Sequence, residues 1–271
     1  METKKYKIMA IGAHPDDCDF SICGTAYKLA KQGNTVHFLS MTNGNAGHYK
    51  MKGRQLADRR YAEAQASAKV LNVTYDILDI DDGRLMPTLE NRELLMRKIR
   101  RFAPDVIITN RPNDYHPDHR NTASLVQDCS YLLGVPNICP DTPAMEKNPS
   151  ILFWQDSFKE PLPFRPEIVV PTDCYLDVYK RVVSCHVSQS FEWLIWMDGE
   201  RKNAELPYDE RVKQVMEEID NKPTQITEKI YDKLVEEYGK ETADKARRVE
   251  CFQQSEYGSF LDENIKKEIL K

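Results

Sequence analysis

Between Tyr6 and Asn110 the chain alternates short β-branched runs with longer stretches of helical periodicity, and few folds tolerate that alternation. Tyr6 to Ala13, Thr35 to Met41, Val73 to Ile80 and Asp105 to Asn110 read as strands. Gly24 to Gln32, Gln55 to Leu71 and Leu89 to Phe102 read as helices. Gly33 stops the first. Leu56, Ala57, Tyr61, Ala64, Ala68 and Leu71 recur at helical spacing in the second. The third has Glu90 and Glu93 in its first turn and Pro104 just past its end. Strands separated by helices of this length need crossover connections. The expectation is therefore an α/β fold with a mainly parallel sheet flanked by helices. In such sheets the loops that follow the strands share one edge, where ligands bind.

After Leu133 the pattern loosens. Val135 to Pro149 holds four prolines and reads as a loop, Ser150 to Trp154 and Glu167 to Val170 as two further strands, and Leu176 to Trp196 as a helix. From Glu200 the chain is rich in Lys and Glu and reads as helices with a solvated face, Pro207 and Pro223 lying near helix starts. The expected organisation is a core over 1–199 and a charged helical C-terminal extension over 200–271 that packs on it. With 271 residues, 41% of them apolar, a sizeable core can be buried.

The charge balance narrows the partners. Lys and Arg number 38 against 43 Asp and Glu, a formal charge of -5, which argues against nucleic acid as the main partner. A local basic pocket such as Arg59, Arg60 and Arg111 stays possible. No apolar run reaches 18 residues, so no membrane helix is expected, and the stretch behind Met1 to Lys5 reads as a first strand and not a signal peptide. Seven cysteines, an odd number with no C-x-x-C pair, fit reduced, mostly buried thiols in a cytoplasmic protein better than a disulfide framework or a cysteine zinc site.

Two motifs carry chemistry. Ala13-His14-Pro15-Asp16-Asp17 follows the first strand directly, and His116-Pro117-Asp118-His119 comes just after the Asp105–Asn110 strand. Both fall on the same edge of the sheet, so loops about a hundred residues apart can meet. Either motif alone could be a turn with an Asp cap. Together they offer three histidines and three carboxylates, a donor set that suits zinc, with spare acid–base groups beside the ligands. His37, inside a strand, reads as a packing histidine. His48, in the loop after the second strand, stands between pocket lining and surface. Trp193 and Trp196, three apart, suit packing or an interface more than a sugar-stacking face.

These residues resemble the LmbE-like, or PIG-L-type, N-acetylglucosaminyl deacetylases, a family marked by A-H-P-D-D and a later H-x-D-H on a Rossmann-like fold. The likeness extends to Leu56-Ala57 with Arg60 and Glu63, to Asp82-Gly83, and to His186-Val187-Ser188-Gln189. It thus runs from about residue 6 to 190, with Glu250-Cys251-Phe252 similar to a weaker late E-x-F. The resemblance implies a zinc hydrolase that removes an N-acetyl group, with His14, Asp17 and His119 as ligands and Fe2+ as another possible ion. It implies Asp16 as general base and a charged His116 as oxyanion stabiliser or acid, with Asp118 beside it. Arg60 and Asp82 match positions that would hold sugar hydroxyls. From the residues alone, His48 could line the same pocket or sit on the surface, and His186 and Gln189 could stand behind the ligands or pack within their helix.

In the loop after the second strand the family often has T-x-G-E-x-G, whereas Thr42 to Gly47 has Asn45 in place of the acid. The expected partner is a small N-acetylated sugar or sugar conjugate, its exact identity open, with homo-oligomers as in related proteins. Two rivals are a non-haem iron oxygenase, against which the βαβ pattern stands, and a metal-binding but inactive regulatory protein, against which the filled motif positions stand.

Overall fold

The computed structural model describes residues 4–197 and 201–270; the expected boundary at 199–200 lies outside them. Among the described residues seven strands form one sheet: β1 (Lys7–Gly12), β2 (Thr35–Ser40), β3 (Thr74–Ile77), β4 (Val106–Thr109), β5 (Ser150–Trp154), β6 (Ile168–Pro171) and β7 (Val249–Gly258). Their order is β3-β2-β1-β4-β5-β7-β6. The first five are parallel, and β7 runs antiparallel between β5 and β6.

Successive side chains on a strand point to opposite faces, and both faces of this sheet are covered. Ile8 and Ala10 of β1 enter one core, packed under α1 (Asp17–Lys31), α2 (Gly53–Leu71) and α5 (Leu176–Cys185). Met9 and Ile11 enter the other, under α3 (Leu89–Phe102) and α4 (Pro117–Leu132). His37 does pack: it is 9% exposed, stacks on Phe102 with centroids 5.1 Å apart, and meets Thr74 Oγ1 at 2.7 Å through Nδ1.

The chain runs outward from β1 to β2 and β3, then returns to the other side of β1 with β4. The strand order reverses between β1 and β4, the kind of switch point at whose C-terminal edge open α/β sheets bind ligands. The loops after β1 and β4 flank it, and those loops carry the two histidine–carboxylate motifs.

Two elements depart from the expected layout. The span 176–196 is not one helix: α5 ends at Cys185, a π-helical stretch covers Gln189–Trp193, and α6 (Leu194–Met197) follows. The segment after 200 holds α7 (Tyr208–Asn221), α8 (Glu228–Tyr238), α9 (Lys240–Lys245) and α10 (Glu263–Leu270), but it also supplies β7. Pro207 sits at the N-cap of α7, whereas Pro223 precedes α8, which Thr227 caps through Ile230 N–H.

Candidate metal centre and active site

Asp17 is the first residue of α1, and its position folds the A-H-P-D-D turn around its own carboxylate. Oδ2 accepts the backbone N–H groups of Ala13 (2.7 Å) and His14 (2.9 Å). On the other loop His116 is the N-cap of α4 and Pro117 its first residue, so His119 projects from the first turn. The loops meet. His119 Nε2 lies 3.2 Å from His14 Nδ1 and 3.5 Å from Asp17 Oδ2, and His14 Nδ1 lies 3.6 Å from Asp17 Oδ2. Ligands about 2.0–2.2 Å from a tetrahedral zinc are separated by roughly 3.3–3.6 Å, so these three atoms are spaced to hold one ion.

The nitrogens on the far side of both rings face carboxylates. His14 Nε2 is 3.1 Å from Asp82 Oδ1 and 3.4 Å from Asp118 Oδ2, and His119 Nδ1 is 3.1 Å from Asp114 Oδ2. These are ion-pair distances, and neither outward nitrogen makes an aligned hydrogen bond; around a bound metal, carboxylates so placed favour the proton on the outward nitrogen and leave the other lone pair for the ion. Two other trios, His14 with His116 and His119 and His14 with Asp82 and Asp118, also bring ligand atoms within 4.8 Å. Asp118 accepts the Gly83 (2.7 Å) and Leu85 (3.3 Å) N–H groups, and His116 Nδ1 accepts the Asp118 N–H at 3.2 Å.

The electrostatics follow from that crowding. Burial opposes charge on His14 and His119, yet Asp17 and the outer carboxylates outweigh it, raising His14 and carrying His119 up to about 10. Burial would raise Asp17, but the two histidines hold it well below the usual carboxylate range. Burial likewise works against Asp82, whose contacts with His14 and Arg60 bring it down to about 2. Asp16 goes the other way: burial raises it, and Arg60 offsets only part of the rise. His116 is lowered by burial first and by His14 and His119 next.

The remaining sequence-singled residues fall around this centre. Arg60 is 2% exposed and does not lie on a solvated helix face; Nη2 donates to Asp16 Oδ1 at 2.8 Å, Nη1 donates to the Gly44 carbonyl at 3.3 Å and lies 3.7 Å from Asp82 Oδ2. His48 has both ring nitrogens engaged: Nδ1 accepts the Lys50 and Met51 N–H groups at 3.0 Å, and Nε2 faces Glu192 Oε2 at 2.9 Å. His186 is fully buried, with Nε2 3.4 Å from Asp19 Oδ1. Gln189 Nε2 donates to the Gly47 carbonyl at 3.1 Å.

Three carboxylates escaped sequence reasoning in role. Asp114 brings its Oδ2 to 3.1 Å from His119 Nδ1. Its signal was present, a carboxylate two residues before His116 in a ligand loop. Glu63 accepts the Ser188 N–H at 2.9 Å and its hydroxyl at 2.6 Å, joining the Arg60 helix to the H-x-S-Q segment. Glu250, on β7, accepts the Gly24 and Thr25 N–H groups at 2.8 Å. Those groups follow a break in α1 at Ile22 (φ −138°), so Glu250 caps the second half of a kinked helix.

Residues 9–130 match the model of the PIG-L family, GlcNAc-PI de-N-acetylase. The chain is 30% identical over 198 residues to a diacetylchitobiose deacetylase from Thermococcus kodakarensis, covering 70% of this chain and 73% of that protein. Among solved structures, the N,N'-diacetylchitobiose deacetylase from Pyrococcus horikoshii superposes with a TM-score of 0.68 at 23% identity, over 92% of this chain and 84% of that one. GalB, a 4-carboxy-2-hydroxymuconate hydratase from Pseudomonas putida, gives 0.72 at 17% identity, over 95% and 99%. One fold thus serves two reactions, so the reaction must be argued from the site.

Proposed function

Because the chain belongs to the PIG-L, or LmbE-like, family, we propose that it is a zinc-dependent hydrolase that removes the acetyl group from an N-acetylglucosamine-type sugar or conjugate. The observation that carries this reading is the triangle of His14 Nδ1, Asp17 Oδ2 and His119 Nε2, 3.2–3.6 Å on a side, with Asp16 next in the chain. In this reading those three atoms hold the ion, and Asp82, Asp118 and Asp114 orient the two imidazoles from outside. When bound, zinc supplies a Lewis acid that polarises the amide carbonyl and brings the pKa of water to about 7.

The rest is the work of side chains. Asp16 takes the proton of the attacking water. Its bond to Arg60 fixes the orientation of its carboxylate. His116 need not be charged: with Nδ1 accepting the Asp118 N–H, the ring's proton is on Nε2, which donates to the developing oxyanion. The proton on Asp16 or His116 passes to the leaving nitrogen. Amide plus water then becomes acetate and a free amine. In this reading Arg60 and Asp82 would have to turn from Asp16 and His14 to meet hydroxyls of the sugar, while His186 and Gln189 support the loops from behind.

The test is acetate release from N-acetylated amino sugars by zinc-loaded protein, with metal measured in parallel. Asp16→Asn should keep its zinc and lose on the order of 10²- to 10⁴-fold in kcat, whereas His119→Ala should lose most of the metal. Zinc lost from Asp16→Asn would make Asp16 a ligand and overturn the assignment.

A further inference from the structure

One cavity shares no residue with the chemistry above. It encloses about 430 Å³, within the range of small-molecule sites, and lies between α1, α5, the π-helical stretch and α7. Phe20, Tyr179, Val183, Leu194, Ile195 and Ile219 give it a mainly apolar lining.

The wall formed by α7 is under-packed. This helix runs 14 residues without burying a single side chain, although Val215 and Ile219, four apart on one face, both line the cavity. It is nonetheless fixed at both ends. Near its start Arg211 donates to the Phe191 and Leu206 carbonyls, at 2.6 and 3.1 Å. Near its end Asp220 Oδ1 lies 2.5 Å from Lys180 Nζ on α5. An amphipathic helix held over a void leaves part of its apolar face without contact atoms, and a guest of the right size supplies them.

The lining also says what kind of guest fits. Its one buried polar side chain is Ser190, 5% exposed, whose hydroxyl has no hydrogen-bond partner. A buried hydroxyl in that state carries an uncompensated desolvation cost, which an oxygen on the guest removes. Glu218 is the only charged residue in the lining. It is exposed and lies 3.1 Å from Lys222 Nζ, so nothing there favours an ion.

The cavity reaches the candidate active site through two elements. Phe20 lies three residues after Asp17 on α1, and its ring meets that of His186 edge-on at 5.5 Å. Ser190 donates its N–H to the His186 carbonyl at 2.8 Å and follows Gln189, which holds the Gly47 carbonyl. A guest in contact with Phe20 and Ser190 therefore bears on the helix that begins with Asp17 and on the segment that braces the loop after β2.

We propose that this cavity is an effector site for a small, uncharged, mostly apolar molecule that bonds to Ser190 through one oxygen, and that the bound molecule stiffens the first half of α1.

The probes are 4-ethylphenol, ethylbenzene and 4-ethylbenzoate, titrated by calorimetry into the full chain. 4-Ethylphenol should bind one molecule per chain, and 4-ethylbenzoate about tenfold more weakly or less well still. Ser190→Ala should weaken 4-ethylphenol by about three- to tenfold and leave ethylbenzene within about twofold. Val215→Trp, which fills the cavity from a half-buried position on α7, should abolish binding of both. Tighter binding of the benzoate, an equal loss of both neutral probes in Ser190→Ala, or binding that survives Val215→Trp would overturn the site. With 4-ethylphenol at saturation, amide hydrogen exchange over residues 17–22 should slow by about threefold or more in wild type and stay unchanged in Val215→Trp. Unchanged exchange in wild type would overturn the effector role. Both readouts are independent of the deacetylase reading, so the loss of one reading leaves the other standing.

Discussion

At the residue scale the site divides into atoms that face the centre and atoms that aim them. The inward set was legible because it is local: two short motifs, each after a strand, each rich in imidazole and carboxylate. The aiming set was not, because Asp82 reaches His14 from a third loop, and sequence gives no hint of which ring nitrogen a distant carboxylate will meet. Asp114 is the sharpest test. Asp114→Asn should weaken zinc binding by about 10- to 100-fold, read by competition with a chromogenic chelator. Unchanged affinity would mean that the 3.1 Å contact with His119 does not tune the ligand.

At the element scale, β1 to β4 and their helices could be read from periodicity, since each element packs on its sequence neighbours. The helix α4 was missed because its start is the metal motif, which masks the helical pattern behind it. The break in 176–196 was missed because it is set by partners elsewhere, Glu63 at Ser188 among them. The kink in α1 has a measurable partner in Glu250. Glu250→Ala leaves two buried N–H groups unpaired and should cost about 1–3 kcal/mol each at most in urea unfolding, with an unchanged m-value. No loss would mean that water replaces the cap.

The same helix and the turn after it are tied to α10: the Lys28 ammonium donates to the Ile269 carbonyl, and Asn34 Nδ2, in that turn, to Glu268 at 3.1 Å. Burial brings Lys28 down to about 8. The unfolded chain therefore binds more protons than the folded one between pH 8 and 10.5. Stability should rise across that window in the wild type relative to Lys28→Met and be lost again as pH falls through 8. Parallel curves for the two proteins would remove Lys28 from the account.

At the scale of the whole molecule, the α/β class, the parallel sheet and the shared edge were all readable, but the join between the two ends of the chain was not. A mixed charged stretch gives no sign that Val249–Gly258 will enter the sheet, because that choice is made by β5 and β6, which lack another partner on that side. A chain cut after 199 should therefore fail to unfold cooperatively; a sharp transition in that fragment would show that β5 and β6 stand without β7. Metal acts globally as well. Zinc at a hundredfold above its Kd should add about 2.7 kcal/mol to stability, raising Tm in wild type and Asp16→Asn but not in His119→Ala. No helix among the described residues is long and apolar enough to cross a membrane.

The placement of β7 also has a temporal meaning. Roughly 80 residues separate the end of β6 from the start of its partner strand, about 4–16 s of ribosomal elongation at 5–20 residues per second. Throughout that interval β6 waits unpaired on the nascent polypeptide, an aggregation hazard that a chaperone would have to cover.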